Sequence, residues 1–143
     1  MAHIEPDIGP LLVQVCRAQR NRAAAALDAL DIHVGQENLV YRLAIEEGVS
    51  QTQLAGALCL DTSTVTKMLA RLERDGVIAR QSDAEDARIL RVYLTPHGKA
   101  LVQPVLDVWR QMEARIIYGM SDAEILLLRR LLLQIQSNLS NLS

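Results

Sequence analysis

Apolar residues recur at helical spacing along most of the chain. From Asp7 to Leu30, Leu11, Leu12, Val15, Cys16, Leu27 and Leu30 keep that spacing, and Ala23 to Ala26 are strong helix formers. Pro6 and Pro10 stand near the start, where a missing N–H costs least. A second helix is predicted over Gly35 to Glu47, with Leu39, Leu43 and Ala44 on one face and Gly48 as a left-handed cap. Ser50-Gln-Thr-Gln53 has the form in which serine caps an amide three residues on and the glutamine reaches back. It opens a short helix to about Leu58. Asp61 is placed to cap the next helix, which runs to Asp75 before Gly76. Two short helices joined by so brief a turn form a helix-turn-helix pattern.

After Gly76 the period changes. Val77–Gln81 and Arg88–Leu94 read as strands, the second alternating Leu90, Val92 and Leu94, with the polar run 82–87 as a hairpin tip. Thr95-Pro96 restarts helix, predicted to reach Tyr118 before Gly119. Ser121-Asp-Ala-Glu124 is a second capping box, flanked by Met120 and Ile125 as a hydrophobic staple. The last helix continues to about Leu139. The fold class is therefore mainly α with a small β-hairpin, undivided by any repeat or low-complexity linker.

Length and composition narrow the function. The chain has 143 residues, half of them hydrophobic, which suits one domain with a core. It is too short for a Rossmann pair or a TIM barrel. Cys16 and Cys59, with no close pairing, give neither a disulfide framework nor a zinc ribbon. His3, His33 and His97 form no metal-binding pattern, so no metal or cofactor is expected. The N-terminus lacks a basic stretch followed by an apolar run, and Arg129 and Arg130 interrupt the apolar stretch Ile125 to Ile135. A soluble, cytoplasmic protein with no membrane partner is expected. No nucleophile–base pair, phosphate loop or paired-carboxylate site points to an enzyme.

The net charge of −2 argues globally against a nucleic-acid partner. Local charge reads differently. On a helical wheel, Asp61 to Asp75 gathers Val65, Met68, Leu69 and Leu72 on one face. Ser63, Lys67, Ala70 and Arg74 lie opposite, with Thr66 beside them. That face is short, hydroxylated and basic, suited to a major groove, where hydroxyls and cations meet base edges and phosphates. An ordinary amphipathic helix would show the same face to solvent. Its place after a short helix and before a hairpin carrying Arg80, Arg88 and Arg91 favours DNA. A charge-mixed loop would also explain the hairpin, since Asp83, Glu85 and Asp86 are there too. As a wing, it would put Arg88 into a narrow minor groove, with Asp86 orienting the guanidinium.

The run Asp86-Ala-Arg88-Ile-Leu-Arg-Val-Tyr-Leu94-Thr95-Pro-His-Gly98 resembles the D-x-R…L-T-x-x-G signature of the MarR family. Leu60 to Ile78 resembles that family's recognition helix and its exit into the wing, and Gln36 matches a common position opening the second helix. The resemblance implies one MarR-like domain over 1–143. Within it, 34–95 would be the winged helix-turn-helix lobe and 1–33 with 96–143 a helical dimerisation lobe. It implies a homodimeric regulator of transcription, usually a repressor released by a small ligand or an oxidant. Ser63, Thr64, Thr66, Lys67 and Arg74 are then expected at the major groove, and Arg80, Asp86, Arg88 and Arg91 at the wing.

A dimer is also expected from the residues themselves. Leu126, Leu127, Leu128, Leu131, Leu132, Leu133 and Ile135 wrap most of the last helix, too much apolar surface for the periphery of a small monomer. Leu11, Leu12, Val13 and Val15 add a similar surplus near the N-terminus. A two-fold interface would set two recognition helices about 34 Å apart on a pseudo-palindromic operator.

The sensing chemistry is less defined. Aligned from Gln36, the family's peroxide-sensing cysteine would fall near Gly9 and its assisting tyrosines at Ala23 and Val34, so none is present. Cys16 and Cys59 are expected to be buried structural thiols, with a redox switch as the alternative. By resemblance, an effector pocket would lie between the dimer helices and the winged lobe. Arg17, Arg20, His33, Trp109 and Tyr118 are its candidate residues, a set suited to a small anionic aromatic ligand. Trp109 serves equally well as a core anchor. A winged helix serving only protein interaction is a further alternative, disfavoured by the basic, hydroxyl-rich helix face.

Overall fold

A computed structural model gives the fold of residues 7–140. His3 and Pro6, with the rest of the N-terminal stretch, lie outside these described residues. The elements run α1 (Ile8–Asp28), α2 (Gln36–Ile45), β1 (Val49–Ser50), α3 (Gln51–Leu58), α4 (Thr62–Arg74), β2 (Ile78–Ser82), β3 (Leu90–Leu94), α5 (Pro96–Ile116) and α6 (Asp122–Ser140). They divide into two compact units, and the boundary between Trp109 and Arg110 falls inside α5.

The first unit is built around a core drawn from many short elements. Leu39, Val40 and Leu43 of α2, Leu54 of α3 and Val65, Leu69 and Leu72 of α4 meet Ile78, Val92 and Leu94 of the sheet and Leu101 and Val105 of α5. The largest of these side chains are leucine and isoleucine, so helix packing fills the space that phenylalanine would occupy elsewhere.

Local chemistry sets the helix starts. Gln36 is buried because its side-chain Oε1 accepts the His33 amide at 3.0 Å, closing the turn into α2. Ser50 and Gln53 form the full capping box of α3. Asp61 caps α4 by accepting the Thr64 amide at 2.7 Å. Thr95 joins the sheet to α5. Its hydroxyl lies against the carbonyl oxygens of Gly76 and Val77 and accepts the Gly98 amide.

The sheet holds a strand that periodicity does not predict. Its order is β1-β3-β2, antiparallel throughout, with Val49 opposite Val92 and Ile78 opposite Leu94. The second strand of the hairpin also begins later than the alternation suggests, because Arg88 and Ile89 belong to the connecting loop rather than to β3. Asp83 accepts the Glu85 and Asp86 amides, and Asp86 accepts the Arg88 amide. These carboxylates curl the loop and draw its residues off the ladder.

The second unit holds the end of α5 and all of α6. Gly119, at φ +81°, supplies the left-handed turn between them. Ser121 and Glu124 cap α6 reciprocally, amide to side chain in each direction. No residue of α6 is buried within the single chain. Among the described residues, no helix is long and apolar enough to cross a membrane.

Candidate nucleic-acid interface

Helix α4 buries one face and offers the other. Val65, Leu69 and Leu72 are buried, Met68 packs against the core, and Ser63, Thr66, Lys67, Ala70, Arg71 and Arg74 are exposed. Thr64 is half-buried, and its hydroxyl donates to Asp61 rather than facing outward. Thr66 donates its hydroxyl to the Thr62 carbonyl at 2.8 Å and keeps its acceptor lone pairs toward solvent. The open face is cationic at Lys67, Arg71 and Arg74, although Arg71 also pairs with Asp75 at 3.8 Å.

The start of α4 is a small hydrogen-bond network. The Ser63 hydroxyl, then the Thr64 amide, then the Thr64 hydroxyl, all donate to Asp61 and hold its carboxyl down from 3.8 to about 2. A carboxyl depressed on folding stabilises the native state above its unfolded value and ceases to do so as pH falls through its folded one. The cap is therefore expected to persist at pH 4 and to release only toward about pH 2. The Thr64 amide shift, followed by NMR against pH, should titrate well below the usual aspartate midpoint. An ordinary midpoint would mean that the cap is open, and Asp61→Asn should abolish the titration.

The wing carries three arginines with different surroundings. Arg88 projects from the tip with its side chain 91% exposed, and Asp86 receives its Nε and NH2 at 3.0 and 3.1 Å. This is the orienting pair expected from the sequence, and the guanidinium holds the Asp86 carboxyl below its ordinary range. Arg91 turns inward instead. Its Nε meets Asp83, and its NH1 donates to the Gly48 carbonyl at 2.8 Å. Arg80 is also engaged within the protein, with Glu73 at 3.0 Å and Gln51 at 3.1 Å. Neither Arg80 nor Arg91 projects freely as the hairpin's charge pattern suggests, because acidic neighbours and a carbonyl claim their donors.

Between the wing and the start of α3 lies a groove of about 440 Å³, lined in part by Thr52, Gln53, Thr62 and Arg88. Thr52, Gln53 and Thr62 are not marked as DNA contacts by the sequence, since only the meeting of α3 with the wing makes them neighbours of an arginine. Hydroxyl, amide and guanidinium donors along one groove suit a chain of phosphates.

Of the expected effector residues in the first unit, His33 lines a cleft. This cleft, of about 520 Å³, gathers His33 and His97 with Asp28, Asp31, Arg71 and Asp75. Arg17, Arg20 and Trp109 do not line it. Trp109 packs on the core and meets Tyr41 edge-on, ring centroids 4.8 Å apart. Tyr118 belongs to the second unit and is exposed in the single chain. Among the described residues, no group of three or more His, Cys, Asp or Glu is placed to hold a metal.

Both cysteines are exposed, not buried as expected. Cys16 lies on α1, where only Leu27 is buried. Cys59 caps α3 in the left-handed conformation, φ +52°, which turns its side chain out at the corner before α4.

Residues 35–90 match the MarR family model. The fold resembles the crystal structure of the transcriptional regulator SlyA, with a TM-score of 0.83, 27% identity and coverage of 94% of this chain and 95% of that one. A crystal structure of the MepR–DNA complex from S. aureus matches with a TM-score of 0.87 and 26% identity, covering 94% of this chain and 99% of MepR. The crystal structure of MarR matches at 0.78 and 26%, covering 98% and 95%. Residues 35–90 thus match the MarR family, and the fold around them is similar to that of solved MarR-family transcriptional regulators.

Proposed function

We propose that the chain is a cytoplasmic, homodimeric repressor that binds a pseudo-palindromic operator and leaves it when a small ligand binds. The observation that carries this reading is the joint exposure of the cationic, hydroxylated face of α4 and of Arg88 at the wing tip. Ser63, Thr66, Lys67 and Arg74 read the major groove, while Thr64 supports them through the Asp61 cap. Arg88 enters the adjacent minor groove, held by Asp86, where a narrow A·T-rich groove attracts a guanidinium. Thr52 and Gln53 seat the intervening phosphates. The MepR relative forms a complex with DNA, which supports the same use of this lobe.

In this reading residues 34–95 are the DNA lobe, and 1–33 with 96–143 form the dimerisation lobe. The exposed apolar residues Leu11, Val13 and Val15 of α1, and Leu126, Leu127 and Leu131 of α6, favour cover by a second copy. The cleft at His33 is the ligand site this geometry favours. Its lining mixes imidazole, carboxylate and a single arginine, and so departs from a site built for an aromatic anion. Exposed Cys59, at the corner before α4, favours a second reading in which oxidation there displaces α4 and releases DNA.

Selection of bound duplexes from a random pool tests DNA binding, half-site spacing and symmetry together. On the selected operator, Arg88→Ala is expected to weaken binding about tenfold while leaving the dimer folded. Gel shifts across several salt concentrations check it. Unchanged binding at every salt would remove the wing from the interface.

A further inference from the structure

Arg80 sits where three elements of the DNA lobe meet. It projects from β2, opposite Val92 in the sheet register. Its Nε and NH2 donate to the two carboxylate oxygens of Glu73 at 3.1 and 3.0 Å, and its NH1 donates to the Gln51 side-chain oxygen at 3.1 Å. Glu73 is in the last turn of α4 and Gln51 in the first turn of α3. One guanidinium therefore ties the wing to both helices of the helix-turn-helix. Its side chain is 21% exposed, against 91% for Arg88. The fork geometry of the Glu73 pair fixes orientation as well as distance, which a lysine could not reproduce.

We propose that Arg80 is a positioning residue: it braces the wing against α3 and α4, sets the angle at which they meet an operator, and does not itself touch DNA. The inference rests on the DNA-binding reading above. It differs from the expectation from sequence, in which Arg80 is itself one of the wing's DNA-binding residues.

Electrostatics gives the two roles opposite signs at Glu73. If Arg80 contacted phosphate, Glu73 would compete for it, and removing that carboxylate would tighten binding. If Arg80 is a brace, removing the carboxylate loosens the wing and weakens operator binding, although a negative charge has left the lobe. A brace also matters only where geometry is read, so a duplex bound without sequence preference should be insensitive to it.

The test uses the full chain, an operator duplex selected from a random pool and a scrambled duplex of equal length, each over a salt series. Glu73→Gln and Arg80→Lys are each expected to weaken operator binding about fivefold. Scrambled-duplex binding should hold, and the slope of log affinity against log salt should be unchanged. The Glu73→Gln/Arg80→Gln double variant should bind no more weakly than the weaker single, because both changes remove one device. Tighter or unchanged operator binding by Glu73→Gln overturns the inference. So does full affinity in Arg80→Lys, or a slope reduced by about 0.9 in Arg80→Gln, the signature of one lost phosphate contact. Equal loss on both duplexes also overturns it, by showing a general structural role. If the unmodified chain selects no duplex at all, the DNA-binding reading itself fails, and this inference with it.

Discussion

Replacing Gly98 by alanine is expected to lower the unfolding free energy of the protein by about 3 kcal/mol, the upper range for overpacking. A Cβ added there would stand 2.1 Å from the Val77 carbonyl oxygen and 3.1 Å from Leu94 Cδ2. Neither neighbour yields cheaply. The Val77 oxygen accepts the Thr95 amide at 3.0 Å, and the Thr95 hydroxyl lies against it. Leu94 is core. The clash therefore disturbs the cap of α5 and the entry to β2 together. The glycine is required for space, not for a left-handed backbone, since Gly98 does not have a positive φ. Urea denaturation would show a lower midpoint with an unchanged slope. Gly56→Ala is the control. Nothing lies within 4 Å of its Cβ position, so alanine inside α3 should stabilise by about 0.5–1 kcal/mol. Equal midpoints for Gly98→Ala and the parent chain would refute the close approach.

This clasp shows what was legible in the sequence. Thr95 and Gly98 belong to the signature that carried the family resemblance, and the structure gives both a job at the junction of wing and α5. The helix starts were legible for a similar reason. Ser50, Gln53, Asp61, Ser121 and Glu124 each act on amides within three residues, so their chemistry is local and visible in spacing. The buried face of α4 was equally plain, because one helical period fixes which residues share a side.

The rest depended on distant parts of the chain. Strand β1 is two residues long, too short for alternation, and exists only because β3 offers it a partner. Arg80 and Arg91 carry the same charge as Arg88, and nothing local marks them as inward. Glu73 and Gln51 reach Arg80 only through the packing of three elements, and the Gly48 carbonyl reaches Arg91 only through the sheet. Cys59 adopts a left-handed cap usually taken by glycine or asparagine, so its residue type gave no sign that it would face solvent. The effector site was not legible for the same reason. Arginine and aromatic residues suggest a ligand class, but convergence is a property of the folded chain.

If α6 forms the proposed dimer interface, changing Leu127 and Leu131 together to glutamate should separate the two copies and lower operator affinity by about a hundredfold or more. The two residues are one helical turn apart on α6 and both exposed in the single chain. No α6 side chain belongs to the hydrophobic core around α2 to α5, so the substitutions leave that core untouched. Burying unpaired carboxylates in an apolar interface is strongly unfavourable, which directs the damage to association rather than to folding. A monomer would still present α4 and Arg88 to one half-site. It would lose the second half-site as an intramolecular event, and with it roughly half the phosphate contacts that set the salt slope. Sedimentation at micromolar concentration, circular dichroism and a salt series on operator and half-site duplexes read these effects separately. The expected result is a folded monomer whose half-site affinity is preserved and whose operator affinity has collapsed onto it. A folded variant that remains dimeric would place the interface elsewhere, and a monomer that keeps full operator affinity would show that dimerisation contributes nothing to recognition.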